Sequence, residues 1–277
     1  MLEANPEMGN SLDAGGIRTN YLDAGNGTPV LLIHGSGPGV TGYANWRLLL
    51  PRLAEAGYRA IAPDIVGFGY TERPADFDYS LGNWLEFLKR FMDALGIGQA
   101  HFIGNSFGGA LALALATSEP ARVGKLVLMG AAGLEFPLTP GLDAVWGYQP
   151  SEDAMRGLMQ QFAFNQTLVS DDIVRSRYQA SIRPGYQESF AQLFPAPRQR
   201  HIQRLATPEA ALMELSHHTL IVHGREDAIV PLDCSLRLHQ LIRRSELHVF
   251  GECGHWTQVE KHQAFGELVL SFFGREA

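Results

Sequence analysis

Ser106 lies between two glycines in the pentapeptide GNSFG, residues 104–108. An apolar run at residues 100–103 precedes the pentapeptide, and an alanine- and leucine-rich run at 110–116 follows it. This pattern is typical of a nucleophile elbow, a sharp strand-to-helix turn that exposes a serine hydroxyl beside backbone N–H donors. Because a chain of this composition contains such a pentapeptide about 0.2 times by chance, the partners of Ser106 must distinguish a catalytic serine from a glycine-rich turn.

A catalytic serine needs a neighbouring base and a third group that orients the base. Among ten histidines, His255 lies in a loop directly after the last predicted strand and before the last predicted helix. Asp227 follows the end of another predicted strand and is the predicted acid, with Glu226 as the second choice. The three residues follow strand ends in the order Ser, Asp, His, which predicts a catalytic triad.

Two N–H groups must stabilise the oxyanion that forms when a carbonyl is attacked. We predict one at Phe107, directly after the serine, and the other at Ser36, in the glycine-rich loop 34–39. This loop does not match the phosphate-binding patterns, and we expect His34 within it to be a buried structural histidine. The sequence has no H-E-x-x-H motif or Cys/His cluster, so we predict no metal and no cofactor.

Alternating strands and helices must position these residues. Residues 16–23 predict an antiparallel edge strand. Apolar runs predict further strands at 30–33, 59–62, 100–103, 126–129, 219–222 and 246–250. Helices are predicted at 44–55, 81–95, 110–116, 234–241 and up to about residue 273. Repeated strand–helix–strand units indicate an α/β fold with a mostly parallel, doubly wound sheet.

The alternation stops after residue 133 and resumes near residue 215. Residues 134–214 read as short helices, with Ser151 and Ser170 as two predicted N-caps. We therefore expect a helical cap (lid) at 134–214, inserted after the sixth strand over the carboxyl ends of the strands. The core would then comprise residues 1–133 and 215–277.

Composition excludes several classes of protein. The formal charge of the 277 residues is −7, and basic residues do not cluster with aromatic ones, so we expect no nucleic-acid partner. Two cysteines do not make a disulfide framework, and we expect both thiols to be reduced. The N-terminal residues 1–16 lack the apolar core of a signal peptide, and the longest apolar run is too short to span a bilayer. A soluble cytoplasmic protein with no membrane partner is therefore predicted.

Along nearly its full length the chain resembles the α/β-hydrolase superfamily. Within it, the chain resembles the meta-cleavage product hydrolases of bacterial aromatic degradation, above all 2-hydroxymuconate semialdehyde hydrolases and monoalkylbenzene-pathway relatives. The motifs that carry the resemblance are LIHGSGPG at 32–39, ANW at 44–46, GNSFGG at 104–109, GAAG at 130–133, VWGY at 145–148, PAPRQR at 195–200 and GHWT at 254–257. The triad does not depart from the family pattern.

The resemblance implies hydrolysis of a carbon–carbon bond in a small ring-fission product, a 2-hydroxy-6-oxohexa-2,4-dienoate, by a homo-oligomer. The family's polar end of the pocket maps onto Asn45, Asn105, Arg177 and Trp256. The Arg177 guanidinium can bind both oxygens of a carboxylate. The distal substituent of the substrate is expected to face Ala132, Trp146, Ile202 and Val230. Several of these side chains are bulky, which favours hydrogen or a short alkyl group over phenyl.

Hydrolysis of a carbon–carbon bond requires a stabilised carbanion as leaving group, which the keto tautomer of the dienoate supplies and the dienol does not. We therefore expect ketonisation first, with His255 moving the proton. Attack on the distal carbonyl follows, either by Ser106 or by a water that His255 activates. A carboxylesterase of the same fold would use the same triad, and a non-catalytic binding protein of this fold is a further alternative. Ser106 excludes the aspartate-nucleophile chemistry of haloalkane dehalogenases and epoxide hydrolases.

Overall fold

The computed structural model describes residues 5–275. Its strands form one eight-stranded sheet. In chain order the strands are β1 (Asn10–Asp13), β2 (Arg18–Ala24), β3 (Thr28–Ile33), β4 (Tyr58–Pro63), β5 (Ala100–Asn105), β6 (Val123–Met129), β7 (Thr219–Gly224) and β8 (Ser245–Phe250). Their order across the sheet is β1-β2-β4-β3-β5-β6-β7-β8. Strands β3 to β8 are parallel, whereas β2 pairs antiparallel with β1 and β4. The predicted α/β fold class is therefore confirmed; residues 1–4 and 276–277 of the predicted core lie outside the described residues.

Helices cover both faces of the sheet. The helices of the core are α1 (Gly42–Trp46), α2 (Leu50–Glu55), α3 (Leu81–Ala94), α4 (Phe107–Ser118), α11 (Leu232–Leu241), α12 (Thr257–Glu260) and α13 (His262–Phe273). Between β6 and β7 lie α5 (Pro140–Trp146), α6 (Glu152–Phe162), α7 (Asp171–Ser181), α8 (Tyr186–Leu193), α9 (Gln199–Leu205) and α10 (Glu209–Met213). Short 3₁₀ helices occupy Pro120–Arg122 and Gln166–Leu168.

The last four residues of the central strand β3, residues 30–33, are all apolar. Leu31 and Ile33 belong to one buried cluster, while Val30 and Leu32 belong to a second cluster on the opposite face of the sheet. Successive side chains of a strand point to opposite faces, so a strand covered on both sides needs apolar residues at every position. All four side chains are fully buried.

Two predicted elements are wrong in detail. The strand predicted at 16–23 is not an edge strand, because β1 pairs along its outer side; the polar, largely exposed sequence NSLD of β1 carries no apolar pattern that would reveal it. The helix predicted at 44–55 is two helices, α1 and α2. Pro51 lies in the first turn of α2, where a proline is tolerated. Inside one continuous helix over 44–55 the same proline would break the helix.

The segment between β6 and β7 is helical, and its predicted N-caps are confirmed. Ser151 accepts a hydrogen bond from the backbone N–H of Ala154, and Ser170 accepts one from that of Ile173. These serines therefore begin α6 and α7, the helices that carry several side chains into the site described below. In the part of the chain described, no helix is both long and apolar enough to cross a membrane.

Candidate active site

Ser106 occupies a strained turn between the last residue of β5 and the first residue of α4. Its φ is +54°, a left-handed conformation that is costly for a residue with a side chain and that clusters at functional sites. The backbone around it is held by β6, because the N–H of Ser106 donates to the carbonyl of Met129 at 3.0 Å. A Cβ on Gly108 would lie 2.2 Å from the carbonyl oxygen of Ile33, so only glycine lets α4 pack this closely against β3.

His255 and Asp227 form a buried pair at the carboxyl ends of β8 and β7. His255 Nδ1 donates to Asp227 Oδ2 at 2.7 Å, with only 4% and 1% of the two side chains exposed. Asp227 Oδ1 accepts the backbone N–H groups of Ile229 and Val230 at 2.8 and 3.0 Å. Burial raises the pKa of Asp227, but the charge and hydrogen bond of His255 outweigh burial and hold the pKa below its ordinary value. An ionised Asp227 keeps the proton of His255 on Nδ1, so Nε2 carries the lone pair of a base.

Glu226 and Gly130 lie close to the Asp227–His255 pair. Glu226, the alternative acid, accepts the backbone N–H of Cys253 at 3.0 Å and pairs with Arg225, so it is engaged elsewhere. Gly130 leaves room for the pair, since a Cβ there would lie 3.2 Å from both Asp227 Oδ2 and His255 Nδ1.

The two predicted oxyanion donors belong to α4 and to loop 34–39, both of which adjoin Ser106. Phe107 is the first residue of α4, where a backbone N–H has no partner within the helix. Ser36 follows Gly35, whose Cβ, if present, would lie 3.5 Å from the Cβ of Ser106. The indole of Trp146 donates to Ser36 Oγ at 3.0 Å, which attaches α5 to loop 34–39, the predicted oxyanion loop.

A cavity of about 480 Å³ opens onto Ser106 and His255. All four residues of the predicted polar end line it: Asn45, Asn105, Arg177 and Trp256. Asn105 Nδ2 donates to the carbonyl of Met129. Asn45 is 8% exposed, and its Nδ2 finds no acceptor among residues 5–275. The cavity thus contains a buried amide donor that a ligand oxygen could satisfy.

Phe162 connects the helical segment to the catalytic loop. Its ring stacks on that of Trp256 with centroids 5.1 Å apart, and its carbonyl accepts the N–H of Trp256 at 3.2 Å. The same ring lies 5.8 Å from the imidazole of His255. The end of α6 therefore contacts both His255, the predicted base, and the residue that follows it.

Arg177 does not stand alone in the cavity. It donates to Glu7, a cavity-lining residue from the segment before β1, at 2.7 Å. Glu7 also accepts from Arg183, at 2.6 Å. Sequence reasoning missed Glu7, because 170 residues separate it from Arg177 and no local pattern links the two.

The apolar wall differs from the one predicted. Within the described residues, the cavity lining does not include Ala132, Trp146, Ile202 or Val230. The apolar side chains that line it include Leu142, Val145, Met155, Met159, Phe162, Leu168 and Ile229. Val145 and Ile229 are direct neighbours of two predicted residues. Trp146 instead points its indole N–H at Ser36, and the backbone of Val230 donates to Asp227.

Three further reactive groups, His34, Cys234 and Cys253, are buried. His34 is fully buried, and burial lowers its pKa to about 4. Its Nε2 accepts the N–H of Ile65, and its Nδ1 lies 2.7 Å from the carbonyl oxygen of Gly35. It is a structural histidine, as predicted. Cys234 and Cys253 are free thiols, and burial raises the pKa of each to about 12. Among residues 5–275, no three His, Cys, Asp or Glu side chains are grouped as metal ligands.

The fold and the site place the chain among the α/β hydrolases. Residues 28–262 match the family model described as alpha/beta hydrolase fold. The chain is 57% identical over 268 residues to a 2-hydroxymuconate semialdehyde hydrolase of Pseudomonas sp. strain CF600, covering 97% of this chain and 94% of that protein. It is 52% identical to a 2-hydroxy-6-oxo-2,4-heptadienoate hydrolase of Pseudomonas putida strain F1, covering both chains in full.

A solved structure narrows the family further. The fold matches a mutant of the meta-cleavage product hydrolase from Pseudomonas fluorescens IP01, crystallised with acetates, with a TM-score of 0.96. That protein is 55% identical, and the match covers 97% of this chain and 98% of the other. The chain belongs to the meta-cleavage product hydrolases.

Proposed function

We propose that this chain hydrolyses a carbon–carbon bond in a 2-hydroxy-6-oxohexa-2,4-dienoate, with 2-hydroxymuconate semialdehyde or a short-alkyl analogue as substrate. The observation that carries the proposal is that one cavity is lined by Ser106 and His255 together with the Arg177 guanidinium and the amides of Asn45 and Asn105. An ordinary ester needs only the triad and the oxyanion donors. Arg177, Asn45 and Asn105 are instead suited to the carboxylate and 2-hydroxyl group of a dienoate.

The first stage is ketonisation. The proton of the 2-hydroxyl group leaves oxygen and a proton is added at C5, giving a 2,6-dioxo acid with its double bond between C3 and C4. His255 Nε2 is the group that can move this proton, because Asp227 keeps the Nδ1 proton in place. The buried Nδ2 of Asn45 can donate to the substrate oxygen, and this bond recovers about 1–3 kcal/mol that an unpaired buried amide costs.

The second stage breaks the bond between C5 and C6. An oxygen nucleophile adds to C6, whose carbonyl oxygen accepts the N–H groups of Phe107 and Ser36. The C5–C6 electron pair then shifts through the C3–C4 double bond onto the 2-oxo oxygen, which gives a dienolate that takes up a proton. C6 becomes a carboxylic acid directly when water is the nucleophile, or an ester of Ser106 that a water molecule then hydrolyses to the acid. The nucleophile is either Ser106 Oγ, through an acyl-enzyme, or a water that His255 deprotonates; mass spectrometry of acid-quenched enzyme distinguishes them by an acyl adduct on Ser106.

The apolar wall supports a small distal group. Leu142, Val145 and Ile229 are buried branched side chains in this wall. We infer that they leave less room for a phenyl ring than for hydrogen or methyl. We retain Ala132, Trp146, Ile202 and Val230 as a proposed second layer behind the wall. We also propose that residues 134–214 act as a cap, and that the enzyme is a cytoplasmic homo-oligomer, as the family resemblance suggests.

Spectrophotometry of ring-fission products with hydrogen, methyl, isopropyl or phenyl distal groups tests the substrate. We expect kcat/KM to be highest for hydrogen and methyl and lowest for phenyl. Val145→Ala should reduce this difference in kcat/KM, because a smaller side chain enlarges the cavity. Met213→Ala is a matched control, since Met213 is 49% exposed on α10. A phenyl product cleaved as well as the semialdehyde contradicts the size argument.

A parallel assay with a simple aryl ester tests the competing esterase function. The dienoate should exceed the ester in kcat/KM by at least about 100-fold, because only the dienoate pairs the buried polar groups. Ser106→Ala should abolish turnover of both substrates and keep dienoate binding, whereas Ser118→Ala at the far end of α4 should change neither. A faster ester reaction would favour the carboxylesterase, and binding without any turnover by the unmodified chain would favour a non-catalytic binding protein.

A further inference from the structure

Glu7 bridges two arginines with its two oxygens. Oε1 accepts from Nη2 of Arg177 at 2.7 Å, and Oε2 accepts from Nη2 of Arg183 at 2.6 Å. Only 6% of the Glu7 side chain is exposed, against 23% and 24% for the two arginines. The three side chains therefore form a partly buried cluster in which both oxygens of one carboxylate are occupied.

The position of Glu7 is set by its own segment. Its backbone N–H donates to Asn5 Oδ1, and its carbonyl accepts from Asn20 Nδ2, each at 3.0 Å. Burial alone would raise the pKa of Glu7, but the two guanidiniums hold that pKa below its ordinary value. Glu7 is therefore a fixed negative charge inside the wall of the cavity.

This charge is unfavourable for an anionic substrate. Within the described residues, the charged side chains that line the cavity are Glu7, Arg47, Asp172 and Arg177, and their charges sum to zero. A substrate carboxylate arriving at Arg177 would therefore meet no net positive charge and would face Glu7 in the same wall. Arg183 changes the sum to +1. It does so from outside the cavity lining, with its guanidinium 4.2 Å above the ring of Tyr70.

Arg177 keeps donors for a ligand within this arrangement. Of its five N–H groups, one goes to Glu7 and one makes a long contact of 3.5 Å with the carbonyl of Gly39. The guanidinium can thus be held by Glu7 and bind a second carboxylate at the same time.

We propose that Arg183 is a positioning and charge-balancing residue that neutralises Glu7, so that the charge of Arg177 is left for the carboxylate of the substrate. This inference rests on the proposed function, since it concerns an anionic substrate in that cavity. Glu7 fixes where Arg177 lies, and Arg183 keeps this carboxylate from cancelling the charge of Arg177.

The test is a double-mutant cycle in the full-length enzyme, with KM and kcat measured on 2-hydroxymuconate semialdehyde. Arg183→Gln should raise KM about tenfold, the size typical of losing one charge contact near a ligand, with kcat within about twofold of the wild type. Glu7→Gln combined with Arg183→Gln restores the sum to +1 and should return KM to within about threefold. Arg183→Lys keeps the charge and should behave like the wild type.

Controls separate charge from folding and from the proposed function. Arg156→Gln removes a matched arginine–aspartate pair with Asp171 on the same helical segment and should leave KM unchanged. If Arg183→Gln folds poorly by its melting temperature, Arg183→Met replaces it, because methionine keeps an apolar stem against Tyr70. The inhibition constant of 2-oxopentanoate, measured in parallel, reads the carboxylate site without the carbon–carbon chemistry.

The outcomes decide between the two claims. Tenfold weaker binding of substrate and of 2-oxopentanoate in Arg183→Gln, with recovery in the double variant, supports the charge balance. A KM within twofold of the wild type, or a double variant no better than Arg183→Gln, overturns it. A wild-type enzyme that does not consume the dienoate contradicts the proposed function instead, and 2-oxopentanoate displacing a bound dye from each variant then tests the charge balance alone.

Discussion

Replacement of Asp227 by asparagine tests the triad most sharply, because the structure dictates which way the new amide must face. Asp227 Oδ1 accepts two backbone N–H groups, from Ile229 and Val230. The asparagine oxygen must stay there, so its NH₂ group replaces the oxygen that lies 2.7 Å from His255 Nδ1. Facing a donor, Nδ1 must become the acceptor, and the proton moves to Nε2. His255 can then no longer act as a base.

The expected loss is large because both the tautomer and the charge change. A wrong histidine tautomer costs a serine triad about 10⁴-fold in kcat, the value known for serine proteases, which corresponds to about 5.5 kcal/mol. We expect a loss of about 10³–10⁴-fold here, with KM little changed, since Asp227 is buried behind His255. Stopped-flow decay of the dienoate absorbance measures both constants.

Glu226→Gln is the matched control for this prediction. Its amide oxygen can still accept the N–H of Cys253, so kcat should stay within about threefold of the wild type. The triad assignment is refuted if Asp227→Asn retains more than about a tenth of the wild-type kcat, or if Glu226→Gln loses as much.

Three further predictions concern the surroundings of the triad. Gly130→Ala should lower kcat at least about tenfold and lower the melting temperature. The φ of Gly130 is +49°, and an alanine Cβ there would crowd Asp227 and His255. The control Gly157→Ala, in open space on α6, should be neutral or stabilising. Trp146→Phe should lower kcat about 3- to 10-fold by removing the hydrogen bond to Ser36, and an unchanged kcat would show that this bond does not hold the oxyanion loop. The depressed pKa of Glu7 stabilises the fold above its unfolded pKa of about 4.3, and this contribution is lost as pH falls through its folded pKa. Melting curves should therefore show Glu7→Gln to be less stable than the wild type at pH 7, with the difference shrinking towards pH 3, whereas a difference that is constant with pH would argue against an ionised Glu7.

The sequence predicted the features that are local or that follow from sheet geometry. Ser106, Asp227 and His255 each follow a strand of a parallel sheet, and the carboxyl ends of such strands meet at one edge. Each position could therefore be assigned from its own neighbours in the chain. The predicted burial of His34 is also confirmed, and His34 directly follows the fully buried residues 30–33 of β3.

The features that escaped prediction depend on contacts between distant segments or on helix phase. Glu7 meets Arg177 across 170 residues, and a single acidic residue near the N-terminus carries no signal of that contact. Val145 lines the cavity and Trp146 does not, a difference of one position on α5 that the sequence alone could not decide. The polar strand β1 lacks the apolar alternation by which strands are recognised.

Isotope labelling of the products tests the central claim most directly. Wild-type enzyme is incubated with 2-hydroxymuconate semialdehyde in H₂¹⁸O, and the products are identified by mass spectrometry. Cleavage between C5 and C6 predicts one formate, labelled from water, and one 2-hydroxypenta-2,4-dienoate for each substrate consumed, with no products from the Ser106→Ala variant. Absence of formate, or its undiminished release by Ser106→Ala, would contradict a serine-dependent carbon–carbon hydrolase.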